Sequence, residues 1–256
     1  MSESNNIEYP LNPHFGEGVF RRRIRLDGQP GKVVAELEDC CHGFRSTVLH
    51  DGEKVTDIQA QALRHPLNTC AGAVDPIKAI IGMPLATSAA IINREVNTRA
   101  NCTHLYDLTV LAIAHCLRGE TVRQYDIAVD DEGDTATTAT VHRDGVQALS
   151  WKIKQWTVTE PAALAGKPLY KGFAAWTKQV FDGDEQEAAF LVQKGYFVAQ
   201  ARMFDMDKMA GVAGADQSTM MGVCYTYSPE VVQQAYRGEN STRDFTHTPE
   251  QLLKFL

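Results

Sequence analysis

Four groups that can move protons or bind metal crowd one short stretch: Cys102, His104, Tyr106 and Asp107. They open a segment, 98–117, in which Leu105, Leu108, Leu111, Ala112 and Ala114 recur at helical spacing. Thr103 or Asn101 can cap its first turn, and Asp107 is placed to meet orphan N–H groups or the positive dipole end. Such a turn is where thiol and imidazole pKa values move and anions bind. His104 and Asp107 are three apart and share one side of the helix. A carboxylate beside an imidazole orients it and raises its basicity, which suits general acid–base catalysis. The competing reading of the same residues is a capping Asp and a hydrogen-bonded core His. His115 lies three turns further along on the same face and can share a site with His104 only through a long cavity.

A second group precedes it, His65-Pro-Leu-Asn-Thr-Cys70. With Cys102 and His104 it offers two thiols and two imidazoles. A tetrahedral zinc site needs four such ligands, or three and a water, but the spacing follows no strong zinc pattern, and inert buried thiols are the competing reading. Cys102 as a nucleophile activated by His104 or His65 is a further option, with awkward geometry around a cap. Tyr106, Trp176, Tyr196, Phe197 and Tyr225 can wall an aromatic pocket or simply fill a core. Arg99, Arg202 and Arg243 are candidates for clamping a carboxylate or phenolate, or for structural ion pairs. The phosphate-loop, Gly-x-Gly-x-x-Gly, Gly-x-Ser-x-Gly and His-Glu-x-x-His patterns are absent, so no nucleotide cofactor or serine-hydrolase mechanism is expected.

The elements that must position these groups read as an α+β fold. Residues 1–20 hold Pro10, Pro13, Gly16 and Gly18 and read as an irregular arm that docks on a neighbour; the basic run 21–25 reads as a solvated strand or arm. Val33–Glu38, Phe44–Leu49 and Val55–Leu63 are strands, with Asp51-Gly52 as a hairpin turn and Arg64-His65-Pro66 as the stop. Short helices are expected at Pro76–Ile80 and Leu85–Ile92, before the long one at 98–117. Val122–Val129, Ala136–His142 and Val146–Val158 are strands, with Asp144-Gly145 as a turn. Phe173–Phe181 and Glu185–Met203 are helices. Beyond them, 211–221 is a glycine-containing loop that reads as a lid. Cys224–Tyr227 reads as extended, and helices are expected to begin at Pro229 and Thr248. The order hairpin, Gly-x-Pro-Leu, short helix, long helix occurs twice. Two related units, 32–118 and 119–205, follow an arm of 1–31 and precede a tail of 206–256, all in one domain.

The 256 residues carry a net charge of −7, which argues against a nucleic-acid surface. No apolar run is long enough to span a bilayer, the first residues are no signal peptide, and six cysteines without a Cys-x-x-Cys pair point to reduced thiols in a cytoplasm. An acidic cytoplasmic chain with an arm is expected to be a homodimer.

The string His65-Pro-Leu-Asn-Thr-Cys-Ala-Gly-Ala73, then Gly82-x-Pro-Leu, then Cys102-Thr-His-Leu-Tyr-Asp-Leu108, resembles the bacterial family called domain of unknown function 2889. Arg143-Asp-Gly145, Gly166-x-Pro-Leu with Gly172-Phe173 and Trp176, Glu187-Ala-Ala189, and Arg243-Asp-Phe245 before Pro249-Glu250 extend the resemblance over 32–253. Leu67 and Ala71 stand where members often carry Trp and Pro, which reshapes the surroundings of Cys70. Within that family the chain is similar in kind to the γ-formaldehyde lyases of lignin-derived aromatic catabolism, which open a phenylcoumaran to a stilbene. The resemblance implies a cofactor-independent lyase that needs one base, a donor to the leaving phenolate and aromatic walls. His104 with Asp107 would be the base, and Tyr106, His65 or Arg99 the donor. Cys70, Arg99, Cys102, Trp176, Tyr196 and Tyr225 would line the substrate. Two other readings compete: a metal-dependent hydrolase or decarboxylase using the Cys/His cluster, and a non-catalytic protein binding aromatic acids.

Overall fold

The computed structural model describes residues 8–86, 92 and 95–255. One eight-stranded antiparallel sheet organises the chain, in the order β4-β3-β2-β1-β5-β6-β7-β8. Its first half is a meander of β1 (Val19–Gln29), β2 (Lys32–Asp39), β3 (Gly43–His50) and β4 (Val55–Arg64). Its second is a meander of β5 (Val122–Asp130), β6 (Thr137–Arg143), β7 (Val146–Lys154) and β8 (Thr157–Glu160). The halves join where β1 and β5 run antiparallel, with Ile24 opposite Tyr125. Each meander is followed by 3-10 turns and helices: α1 (Thr103–Cys116) after the first, α2 (Phe173–Val180) and α3 (Gly183–Ala199) after the second.

β1 corrects the expectation that 1–31 is an arm. It alternates Phe20, Arg22, Ile24 and Leu26 on the buried face, and the other arginines of the run point away from it. The charges of the run hid a period-2 pattern, because one arginine sits on the core face itself. The segment before β1 docks on its own chain through Asn12 N–Met203 O (2.9 Å), Asp205 N–Pro10 O (2.8 Å) and a bridge between Leu11 and Phe204.

α1 lies over β1–β3 and α3 over β5–β7 and β1, so one face of the sheet is covered. Leu105, Leu108, Ala112 and Ile113 of α1 are buried against Ala35, Leu37, Phe44 and Val48. Each buried Leu or Ile contributes roughly 1.5–3 kcal/mol. α3 comes so close at Gly195 that a Cβ there would stand 2.6 Å from Ile127 Cγ2. Asp144 and Gly145 adopt φ of 51° and 81°, the paired left-handed residues a two-residue hairpin needs.

Several expected elements end differently. The strand read as Val146–Val158 breaks at Gln155 and Trp156, both left-handed, where the Trp156 ring meets the Tyr196 ring edge-on at 5.0 Å. The helix expected from 98 begins at Thr103, after a separate 3-10 turn Thr98–Ala100, and its N-cap is Cys102 rather than Asn101 or Thr103. The extended run expected at Cys224–Tyr227 is a 3-10 turn, Tyr225–Tyr227, and the two tail helices are single 3-10 turns at Val232–Gln234 and Pro249–Gln251. The helix expected at Leu85–Ile92 lies largely outside the described residues. No helix among the described residues is long and apolar enough to cross a membrane.

Candidate functional site

The tightest polar construction lies in the turn between β2 and β3, Asp39-Cys40-Cys41-His42. Asp39 is the last core-facing residue of β2, directly across from Arg22 of β1. Both side chains are buried, at 0% and 4% exposure. Arg22 Nε and Nη2 donate to Asp39 Oδ2 at 2.9 and 2.5 Å. Asp39 Oδ1 accepts from the backbone N–H of Cys41 and of His42, both at 2.8 Å, which closes the turn as an Asx turn. It also receives His42 Nδ1 at 3.0 Å. Burial alone would raise the Asp39 carboxyl, but His42 and Arg22 beside it outweigh burial and hold it well below the usual carboxylate range. An ionised carboxylate only accepts, so His42 Nδ1 donates this hydrogen bond.

His104 stacks on His42, ring centroids 3.8 Å apart and planes at 25°. Burial, then the charges of His42 and Arg22, push its pKa well below the ordinary imidazole range, so it stays neutral. In an unfolded chain His104 titrates near 6.5. Between its folded pKa and about 6.5 the unfolded state holds a proton the fold refuses, so stability rises with pH there and is lost as pH falls below about 6.5. Burial also holds His65 and His115 low, and they share that window. Urea midpoints are expected to drop from neutral toward acidic pH, with a shallower drop in His104→Gln; equal slopes in the two proteins would contradict the assignment.

The expected His104–Asp107 pair does not form. Asp107 points out and meets Lys194 of α3 at 3.0 Å, with 40% and 42% of the side chains exposed. Exposed pairs of this kind are worth about 0.2–1 kcal/mol. Asp107→Asn is therefore expected to change urea stability by less than about 1 kcal/mol; a larger loss would show the pair to be structural. The carboxylate that orients the imidazole cluster is Asp39 instead, supplied by another element.

The remaining predicted residues divide between two places. His65 is half-buried at the end of β4, its Nδ1 bound to Leu67 O at 2.8 Å, and close enough to His42 for their charges to interact. Cys70 accepts from Thr226 Oγ1 at 3.3 Å, and Gly72 beside it leaves room for Tyr225, whose hydroxyl would stand 2.4 Å from a Cβ there. Cys102 is buried near Cys70 and its thiol is pushed up to about 12, so it is no ready nucleophile. Burial, helped by Asp107, pushes Tyr106 up to about 12 as well. Trp176 and Tyr196 belong to the other half, with Trp176 Nε1 bound to Pro168 O (2.8 Å) and the Tyr196 hydroxyl to Glu132 (2.5 Å). Arg99 is exposed on the turn before α1. Arg202 is consumed by Asp131, at 2.7 Å. No three of His65, Cys70, Cys102 and His104 bring ligand atoms within 4.8 Å of one another; among the described residues only Asp39, Cys40 and Cys41 do, and that carboxylate already serves Arg22 and His42.

Two clefts flank the turn. One of about 410 Å³ is lined by Cys40 and Cys41, with Asn12, Phe204 and Asp205 opposite. The other, of about 380 Å³, is lined by Arg64, His65 and Asn68 against Gly238 and Ser241. Arg64 spans the rear of the turn, bonding Glu38 (3.0 Å), Asp39 O (2.5 Å) and Cys40 O (2.8 Å). Reading the sequence missed Arg22, Asp39 and His42. The signal that points to them is an Asp three residues before a His between two strands, the spacing of an Asx turn.

Residues 22–117 match the family model described as Protein of unknown function (DUF2889). The DUF2889 segment runs from Arg22 to the residue after α1, so it contains Asp39, His42, His65, Cys70, Cys102 and His104 together. It coincides with the first meander and the helix on top of it. The DUF2889 match stops short of the second meander and of the tail, both of which the resemblance at 32–253 included. No curated protein matches the chain.

Proposed function

We propose that the chain is a carbon–carbon lyase of aromatic catabolism that works by general acid–base chemistry, releasing formaldehyde as it opens a phenylcoumaran to a stilbene. The observation that carries the acid–base part is the hydrogen bond from His42 Nδ1 to the buried Asp39 carboxylate, beneath a neutral His104. The aromatic substrate class rests on the resemblance to the γ-formaldehyde lyases.

On this reading His42 Nε2 takes the proton of the substrate's primary alcohol. The C–O bond becomes the carbonyl of formaldehyde as the adjacent C–C bond breaks. That electron pair forms the C=C, and the aryl ether bond on the next carbon breaks to leave a phenolate. The proton held by His42 returns to that oxygen, so atoms and charge balance without an external oxidant or reductant. Asp39 stabilises the imidazolium formed on the way, and Arg22 keeps Asp39 ionised. His65 donates Nδ1–H to a carbonyl and is held low by burial, so its Nε2 accepts rather than donates. All six cysteines are free, in keeping with a reducing cytoplasm.

Purified protein incubated with a phenylcoumaran is expected to yield equimolar formaldehyde and a stilbene chromophore. Failure to release formaldehyde across a panel of phenylcoumarans would end the lyase reading.

A further inference from the structure

Arginines set into this fold have carboxylate partners: Arg22 with Asp39, Arg64 with Glu38 (3.0 Å), Arg118 with Glu187 (2.9 Å) and Arg202 with Asp131 (2.7 Å). Arg237 differs. It is 8% exposed, its Nε has no hydrogen-bond partner, and no carboxylate among the described residues pairs with it. Its backbone is fixed by a bridge to Leu67 and by bonds to Val212 O (3.0 Å) and from Gly211 N (2.9 Å). A guanidinium with its Nε buried is costly without a counter-charge, and none of the described residues supplies one.

Its charge is felt in the tail and at the His42 turn. Burial pushes Tyr9, Cys70 and Tyr227 up, and the charge of Arg237 opposes that at all three. The same charge reaches Cys41, adding to a lowering due first to the hydrogen bond with Cys40. Gln217 supplies a second orphan donor. It is 4% exposed, its Oε1 accepts from the Tyr227 hydroxyl at 2.7 Å, and its Nε2 has no partner. Two buried donors without acceptors therefore flank Tyr227. A guanidinium fork matches the two oxygens of a carboxylate.

We propose that Arg237, with the Gln217 amide beside Tyr227, is a binding site for the carboxylate of an aromatic acid, which anchors the substrate next to His42. The carboxylate follows from the orphan donors; its attachment to an aromatic ring rests on the lyase reading.

Calorimetric titration of the full chain with vanillate, and with methyl vanillate as its neutral counterpart, tests the site without turnover. Saturable vanillate binding is expected, with methyl vanillate at least about tenfold weaker, as loss of a charged hydrogen bond implies. Arg237→Met is expected to lose vanillate affinity by about tenfold or more, and its melting temperature without ligand to stay level or rise. Gln217→Leu should weaken binding less. Undiminished binding in Arg237→Met, or no binding by the native protein, would overturn the site. So would an Arg237→Met protein that melts lower or fails to fold, since the guanidinium would then be structural. Vanillate binding without formaldehyde release would overturn the lyase alone, and formaldehyde release without vanillate binding the anion site alone.

Discussion

Asp39→Asn is expected to destabilise the protein by about 3–5 kcal/mol, the usual consequence of removing one partner from a buried ion pair. The substitution leaves Arg22 on the core face with no counter-charge and removes the carboxylate that fixes the His42 tautomer. Formaldehyde release is expected to fall by roughly 10²–10⁴-fold. Urea unfolding followed by circular dichroism, and a formaldehyde assay on the fraction that remains folded, read the two effects separately. Arg22→Met combined with Asp39→Leu should recover most of the stability, because apolar replacement of a buried pair is often neutral, and none of the turnover. An Asp39→Asn protein within about 1 kcal/mol of the native one would show that the pair is not the buried linchpin its geometry implies.

His42→Gln separates the chemistry from the scaffold. Arg22 still neutralises Asp39, and the backbone N–H of residue 42 still closes the turn, so the fold should persist. Turnover should drop by roughly 10²–10⁴-fold, the contribution of a positioned general base. His104→Gln removes the stacked ring but leaves the His42–Asp39 bond, and its loss should be smaller. If His104→Gln abolishes turnover while His42→Gln leaves it nearly intact, the base is the ring above and the proposed roles reverse. Single-turnover measurements at saturating substrate keep binding effects out of this comparison.

The hairpins were legible because their turns need left-handed residues, and Asp144-Gly145 announces that need. The long helices were legible from apolar residues recurring at helical spacing, a period that burial enforces. β1 was not, since four arginines in five residues mask the alternation of Phe20, Ile24 and Leu26, and only the cross-strand Asp39 makes a core-facing arginine tolerable. The site was half legible. His104 stacks on His42 of the β2–β3 turn and Cys102 lies near Cys70, but the four residues do not form one cluster. The partner of the imidazoles was sought within the helix because i,i+3 neighbours are visible in a sequence, whereas a carboxylate contributed by a strand end is not. Arg237 is the extreme case: that no carboxylate among the described residues pairs with it is a property of the assembled tail and has no sequence signature at all.

The position of β1 sets an order of events as the chain leaves the ribosome. By the time Leu117 has emerged, the four strands of the first meander and α1 can assemble around Arg22, Asp39 and the paired imidazoles. One whole margin of β1 then stands open, with the hydrogen-bonding groups later taken by β5 still unclaimed. An open margin of that length invites pairing with another nascent chain. The second meander is thus the shield for the half that carries the DUF2889 match. A chain terminated after α1 would hold the Arg22–Asp39–His42 cluster with that margin bare and be a strong client for chaperones.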